Sequence, residues 1–215
     1  MGINQFDLII FDCDGVLVDS EPIIYRIFAE TLTEFGFIIT YEEVVQQFVG
    51  KSLAVCLEIL QKSYGKSIPD NFVERCREKQ VIALQQELQP IAGITEVLKQ
   101  LRLPKCVASN STHRHIHLVL KLTQLLQIFG GNIYSAHDVP RPKPFPDVYL
   151  YAAEQMKTKP ENCVVIEDSV TGVEAGYAAG MTVFGYSQHS NGQVLAAAGA
   201  KIVFNDMRQL FQLLS

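Results

Sequence analysis

The chain has no apolar run of membrane-spanning length, no CxxC pair, no internal repeat and no low-complexity segment. Without such a run, no membrane span is expected. Positive charge is also short. The formal net charge of -5 argues against nucleic acid or an anionic membrane as the main partner. The five cysteines (Cys13, Cys56, Cys76, Cys106, Cys163) are scattered and odd in number. That usage suits reduced thiols in a cytoplasmic protein and not a disulfide framework or a zinc site. The opening MGINQFD has neither the basic start nor the apolar core of a secretory leader, and Phe6 stands where a myristoylation motif needs Ser or Thr. No feature indicates a protein partner. What is present, 48% hydrophobic and 19% charged residues over 215 positions, is the composition of a globular domain, or of one carrying a smaller insert.

Short apolar runs recur: DLIIFD (7–12), KCVAS (105–109), CVVIED (163–168), MTVFGY (181–186) and a weaker AKIVF near the end. Nearly unbroken apolar character, without alternation, predicts strands covered on both faces, as in a parallel sheet. Helical patterns lie between them at 94–101, 115–127, 147–156 and 173–179. This alternation predicts a doubly wound, Rossmann-like α/β core. The stretch 20–88 breaks the rhythm. It holds four helical patterns and no strand, with Gly36, Gly50 and Gly65 at the junctions. It is too long for a loop. The expected organisation is therefore an α/β core of 1–19 and 89–215, with an all-helical subdomain of 20–88 inserted after the first strand.

The stretch IIFDCDGVLVDSE, Ile9 to Glu21, ends an apolar strand in Asp12 and Asp14. In open α/β sheets ligands bind beyond the carboxyl ends of the strands. Glu167 and Asp168 end another run in the same way. Converging carboxylates repel and resist ionisation unless a cation joins them, and all-oxygen ligation suits Mg²⁺. A calcium loop is excluded, since the twelfth position from Asp12 is Ile23 where a bidentate Glu is required. Asp14 could equally cap the following segment. GKS at Gly50–Ser52 is no phosphate-binding P-loop, because Val45 stands where its first glycine belongs. Ser109 ends a third strand, either to hydrogen-bond an anionic oxygen or to cap a helix. Lys143 lies in the proline-stiffened RPKPFPD, either as a phosphate-binding charge or as a solvated surface residue. An acid pair, a hydroxyl, a lysine and a second acid pair following strand ends in order make coincidence a poor account.

Together DCDGVLVDSE, VASNS, RPKPFPD and IEDSVTG resemble the four motifs of the haloacid dehalogenase-like superfamily. The likeness is greatest to its sugar-phosphatase and β-phosphoglucomutase subfamily, and within that to bacterial 6-phosphogluconate phosphatase-like proteins. The resemblance implies a Mg²⁺-dependent phosphatase acting on a small phosphorylated metabolite, a sugar or sugar-acid phosphate. Asp12 would be the nucleophile that forms an aspartyl-phosphate, and Asp14 the acid and base. Ser109 and Lys143 would hold the phosphoryl oxygens, with Asn110 beside them. Asp12, Asp14 (through its carbonyl), Asp168 and Glu167 would form the metal set, Glu167 through a water or by orienting Lys143. The Lys143–Pro144 bond is expected to be cis.

The helical insert would act as a cap over the substrate, with Glu21, Gly50, Lys51 and Ser52 facing it. Where phosphoglucomutases of this family carry a histidine and an arginine, Ile24 and Leu53 stand. Hydrolysis is thus favoured over a mutase reaction, and both over a catalytically idle interaction module. His113 and His117 could share a helix face as metal ligands, but no third ligand is evident, and a partly exposed helix start is expected. Cys13 is expected to pack the strand, with oxidation there as a means of silencing the enzyme.

Overall fold

The structure, a computed structural model, describes residues 6–49 and 51–214. It divides into two compact units, Met1–Asp19 with Gln89–Ser215, and Ser20–Leu88.

The first unit is built on six parallel strands: β1 (Leu8–Phe11), β2 (Lys105–Ser109), β3 (Ile133–Ser135), β4 (Cys163–Glu167), β5 (Thr182–Tyr186) and β6 (Ile202–Phe204). Their order across the sheet is β3-β2-β1-β4-β5-β6. All of β1 and β4 is buried, which explains why LIIF and CVVIE read as unbroken apolar runs. Fully burying each such Ile, Val or Leu side chain contributes about 1.5–3 kcal/mol. From β1 the chain winds outward through β2 to β3, then returns to the other flank of β1 as β4. The order therefore reverses between β1 and β4, where doubly wound sheets open a crevice at their carboxyl ends. The register places Phe11 opposite Val107 on one side and Ile166 on the other. Asp12 and Glu167 thus leave adjacent strands at one level.

Two features depart from the expectations. β3 was not among the expected strands, because a three-residue edge strand in NIYS carries no legible periodicity. The helix expected over 115–127 is two, His113–Leu122 and Leu126–Phe129, with Gln124 between them at a φ of 60°. The helix after β4, Val170–Ala178, buries Gly172, Val173, Ala175 and Gly176. Its small residues let it lie close to the sheet, and Ser169 caps it by accepting from the Gly172 N–H.

The second unit consists of the helices Glu21–Glu34, Tyr41–Phe48, Leu53–Tyr64 and Phe72–Glu87. Gly36 and Gly65 stand at two of the junctions with positive φ, whereas Gly50 lies outside the described residues. Thr40 and Glu43 form a reciprocal capping box at the start of the second helix. Arg26 joins the first and last helices through both carboxylate oxygens of Glu87, at 2.8 and 2.7 Å. The interior is aromatic: the Phe72 ring meets Phe28 at 5.8 Å and Phe35 at 5.5 Å, both edge-to-face. No helix among the described residues is long and apolar enough to cross a membrane.

Phe72 has no exposed surface. Phe72→Ala should therefore cost about 3–5 kcal/mol, read by chemical denaturation. A loss well under 1 kcal/mol would show that this cluster is not the core of the helical unit.

Candidate active site

Three strand ends and one loop bring the functional side chains of the α/β unit together. Asp12 follows β1 and is fixed by its own N–H, which donates to Ile166 O at 3.0 Å. Ser109 ends β2, and Glu167 ends β4 with Asp168 directly after it. The fourth element is the loop that carries Lys143. Asn110 clamps that loop: its Oδ1 accepts from Lys143 N at 2.9 Å and its Nδ2 donates to Lys143 O at 3.4 Å. The Lys143–Pro144 bond is cis.

Lys143 is 6% exposed, and its ammonium donates to Asp12 Oδ1 at 2.5 Å, Glu167 Oε1 at 2.8 Å and Ala108 O at 3.0 Å. All three of its protons are used. The Tyr149 ring lies 4.7 Å from the charge. Burial by itself would lower the pKa of Lys143, but the charges of Asp12 and Glu167 overcome it and raise the value. The lysine is a fixed cation, not the solvated surface residue that was its alternative.

Glu167 accepts from five protein donors: Lys143 Nζ and Tyr149 OH at Oε1, and Asp168 N, Ser169 N and Ser169 Oγ at Oε2. Burial opposes its ionisation, yet Lys143 and these hydrogen bonds hold its pKa below the usual value. Oε1 thus holds the Lys143 ammonium, the contact expected of Glu167 where it orients the lysine. Gly172 makes this possible, since a Cβ there would sit 1.7 Å from Glu167 Oε1.

Asp12 lacks comparable support. Burial is the largest influence on it, and with the charges of Glu167 and Asp14 it outweighs Lys143, pushing the carboxyl up to about 7. One cation is too little for the acids around it. Further positive charge here would keep Asp12 ionised, which a divalent ion could supply. The residues fit one. Gly15, at a φ of 80°, has its missing Cβ 2.1 Å from Asp168 Oδ2, so the Asp14–Gly15 backbone lies directly against the Asp168 carboxylate. Only glycine leaves that space. The carboxylates of Asp12 and Asp168 with the Asp14 carbonyl are hard oxygen donors of the kind Mg²⁺ takes, with waters completing its shell. Among the described residues no group of three or more His, Cys, Asp or Glu side chains is arranged to hold a metal. Two carboxylates and a carbonyl form a smaller side-chain set than that.

Ser109 is 3% exposed and its Oγ accepts from Ser111 N at 3.1 Å, so its hydroxyl proton can point at an anion. Asp14 carries two contacts that the sequence did not disclose. Ser111 Oγ donates to its Oδ2 at 2.9 Å, and His115 Nε2 lies 3.0 Å from its Oδ1. Burial lowers the pKa of His115, but the charge and hydrogen bond of Asp14 prevail and raise it. The outer histidines are engaged elsewhere. His113 pairs with Asp138, and its ring lies 6.3 Å from that of His117. Thr112 supplied the available clue: as the N-cap it accepts from His115 N and puts His115 in the first turn after the Ser109 strand. Cys13 is fully buried, and burial with both neighbouring aspartates drives its pKa far up, which disfavours the thiolate.

The remaining expected residues belong to the helical unit. Glu21 begins its first helix, with Tyr25 OH 3.5 Å from Oε1, and Lys51 is exposed, its Nζ donating to Gln47 O at 2.6 Å. Gly50 lies outside the described residues.

The model of the haloacid dehalogenase-like hydrolases matches residues 9–186. The 6-phosphogluconate phosphatase of Escherichia coli K12 is 33% identical over 85% of this chain and 83% of its own length. A haloacid dehalogenase-like protein of unknown function from Agrobacterium tumefaciens C58 superposes with a TM-score of 0.89 at 35% identity, covering 97% of each chain. A hydrolase of the same family from Deinococcus radiodurans R1, solved with bound phosphate and sodium, gives 0.86 at 34% identity, over 99% of this chain and 96% of that one. The match runs from β1 through β5 and takes in the strand ends, the lysine loop and both acid pairs: the chain belongs to the haloacid dehalogenase-like hydrolases, as a phosphoric monoester hydrolase.

Proposed function

We propose that the protein is a Mg²⁺-dependent phosphatase of a small phosphorylated sugar or sugar acid, working through an aspartyl-phosphate on Asp12. The observation that carries this reading is the Lys143 ammonium, shared between Asp12 and Glu167 at the sheet's switch point beside the Asp14–Gly15–Asp168 cradle. The names of relatives point the same way, with the Escherichia coli protein named a 6-phosphogluconate phosphatase.

In this reading an Asp12 oxygen bonds to phosphorus as the ester P–O bond breaks in line with it. Asp14 gives its proton to the departing alkoxide and then takes one from the water that hydrolyses the aspartyl-phosphate. Once Asp12 is esterified it is no longer an anion, so the Lys143 proton that faced it turns to a phosphoryl oxygen, with the Ser109 hydroxyl beside it. Glu167 keeps the lysine aimed throughout. Mg²⁺, held by Asp12, Asp168 and the Asp14 carbonyl, would neutralise phosphoryl charge. Asn110 keeps the lysine loop in place. We assign the choice of leaving group to the helical unit, with Glu21 and Lys51. Ile24 and Leu53 leave that unit without the histidine and arginine of the mutases, so the phosphoryl group goes to water.

Release of inorganic phosphate should be seen with Mg²⁺ across a panel of sugar and sugar-acid phosphates, and Asp12→Asn should abolish it. Turnover surviving Asp12→Asn would rule out the covalent route. So would faster conversion of β-glucose 1-phosphate to glucose 6-phosphate than to free phosphate rule out the hydrolytic one.

A proton and a cation should compete for Asp12. Its carboxyl, pushed up to about 7, is ionised above that pH and protonated below it. Mg²⁺ affinity, read by calorimetry without substrate, should therefore weaken as pH falls from 8 to 6, approaching about tenfold per unit below 7. Affinity independent of pH would mean that Asp12 does not ligate the ion.

A further inference from the structure

Asp14 stands on a short loop after β1, where a single contact would leave its carboxylate free to rotate. Its two oxygens are engaged separately: Ser111 Oγ donates to Oδ2 at 2.9 Å, and His115 Nε2 lies 3.0 Å from Oδ1. Two partners on the two oxygens fix the plane of the group as well as its place. Both come from the junction between β2 and the helix His113–Leu122, and that junction is itself held. Ser111 N donates to Ser109 Oγ, Ser135 Oγ donates to Ser111 O at 2.7 Å, and Thr112 caps the turn that carries His115. Among the described residues the imidazole has no other hydrogen-bond partner, while His113 pairs with Asp138.

We propose that His115 is a positioning residue, which together with Ser111 sets the orientation in which Asp14 delivers its proton to the leaving oxygen. The inference rests on the acid-base role of Asp14 given above and deepens it. Asp14 must meet an oxygen whose position is set by the phosphoryl group, which Ser109 and Lys143 hold. Ser111 is two residues from Ser109, so one loop registers the acid against the phosphoryl site. The proton moves from the Asp14 carboxyl to the ester oxygen as the P–O bond breaks and Asp12 gains its bond to phosphorus. His115 neither gains nor loses a proton in this step. In this role it donates one hydrogen bond to Oδ1 throughout.

The test uses two esters on the same protein preparation, so that any change in the folded fraction cancels. An alkyl phosphate, chosen as the best substrate of the panel, leaves as an alkoxide that needs the proton. p-Nitrophenyl phosphate leaves as a stable anion that hardly does. His115→Phe should lower kcat/KM for the alkyl ester about 10–100-fold, the usual effect of losing a residue that orients a reacting group. The aryl ester should lose at least tenfold less. His115→Gln, which keeps an N–H donor, should recover most of the difference. Equal losses with both esters, or no loss, would overturn the proposal. Asp14→Asn separates the two levels. If it shows the alkyl-selective loss and His115→Phe does not, the positioning role falls while the acid role of Asp14 stands. If Asp14→Asn itself lacks that selectivity, the acid role falls and takes the inference with it.

Discussion

A buried ammonium is the constraint on which the rest of the site depends. Removing Lys143 from water is expensive, and the expense is offset only if every proton finds an acceptor. Asp12, Glu167 and Ala108 O provide those acceptors, and each comes from a different strand of one sheet. The order β2-β1-β4 makes three adjacent strands end around one charge. Any slip of register between β1 and β4 would separate Asp12 from Glu167 and strand the lysine. A parallel sheet buried on both faces confines charge to the ends of its strands, which is why β1 is Leu, Ile and Phe and its acids begin at Asp12.

The two acids at the end of β4 divide the work because successive residues of a strand face opposite ways. Glu167 turns inward, to the lysine, Tyr149 and the start of the next helix, and its hydrogen bonds are complete. Asp168 turns to the Asp14–Gly15 backbone. Each acid has a glycine opposite it, Gly172 for Glu167 and Gly15 for Asp168, and each space is too small for a methyl group. These glycines are therefore part of the site, although neither carries a functional group. Their sequence neighbours gave no hint of this, since a glycine in DCDGV or SVTGV reads equally well as a turn or a helix residue.

Legibility followed how local the cause was. Asp12, Ser109 and the Glu167–Asp168 pair were readable because each ends an apolar run, and the end of a buried strand is visible in one dimension. The helices of 20–88 were readable from their own periodicity. Edge strand β3 was not, because Tyr134 and its two neighbours are strand-forming only through pairing with β2. Glu167 was half legible. Its place was clear, but whether it faced a metal or a lysine depended on five donors drawn from Lys143, Tyr149 and the two residues after it. His115 was legible only through the Thr112 cap, which places it in the first turn after β2. Its partner Asp14 is 101 positions away, and the helix pattern of 113–117 drew attention to the outer histidines, which share a face, and away from the middle one.

Electrostatic balance explains why the site should take up a cation and not merely tolerate one. Lys143 is already committed, and it serves Glu167 better than Asp12: the former stays readily ionised, whereas the latter is pushed up to about 7. The difference lies in the hydrogen bonds, since among the described residues Glu167 has four further donors and the Asp12 carboxylate has the lysine alone. A nucleophile needs the opposite of saturation. An oxygen with every lone pair satisfied cannot attack phosphorus, so the weaker support of Asp12 suits its proposed role as nucleophile, with a bound cation to ionise it. The same reasoning separates Asp14 from Glu167. Its contacts with Ser111 and His115 fix a plane, which suits the proposed role of holding a proton at one moment and surrendering it at the next.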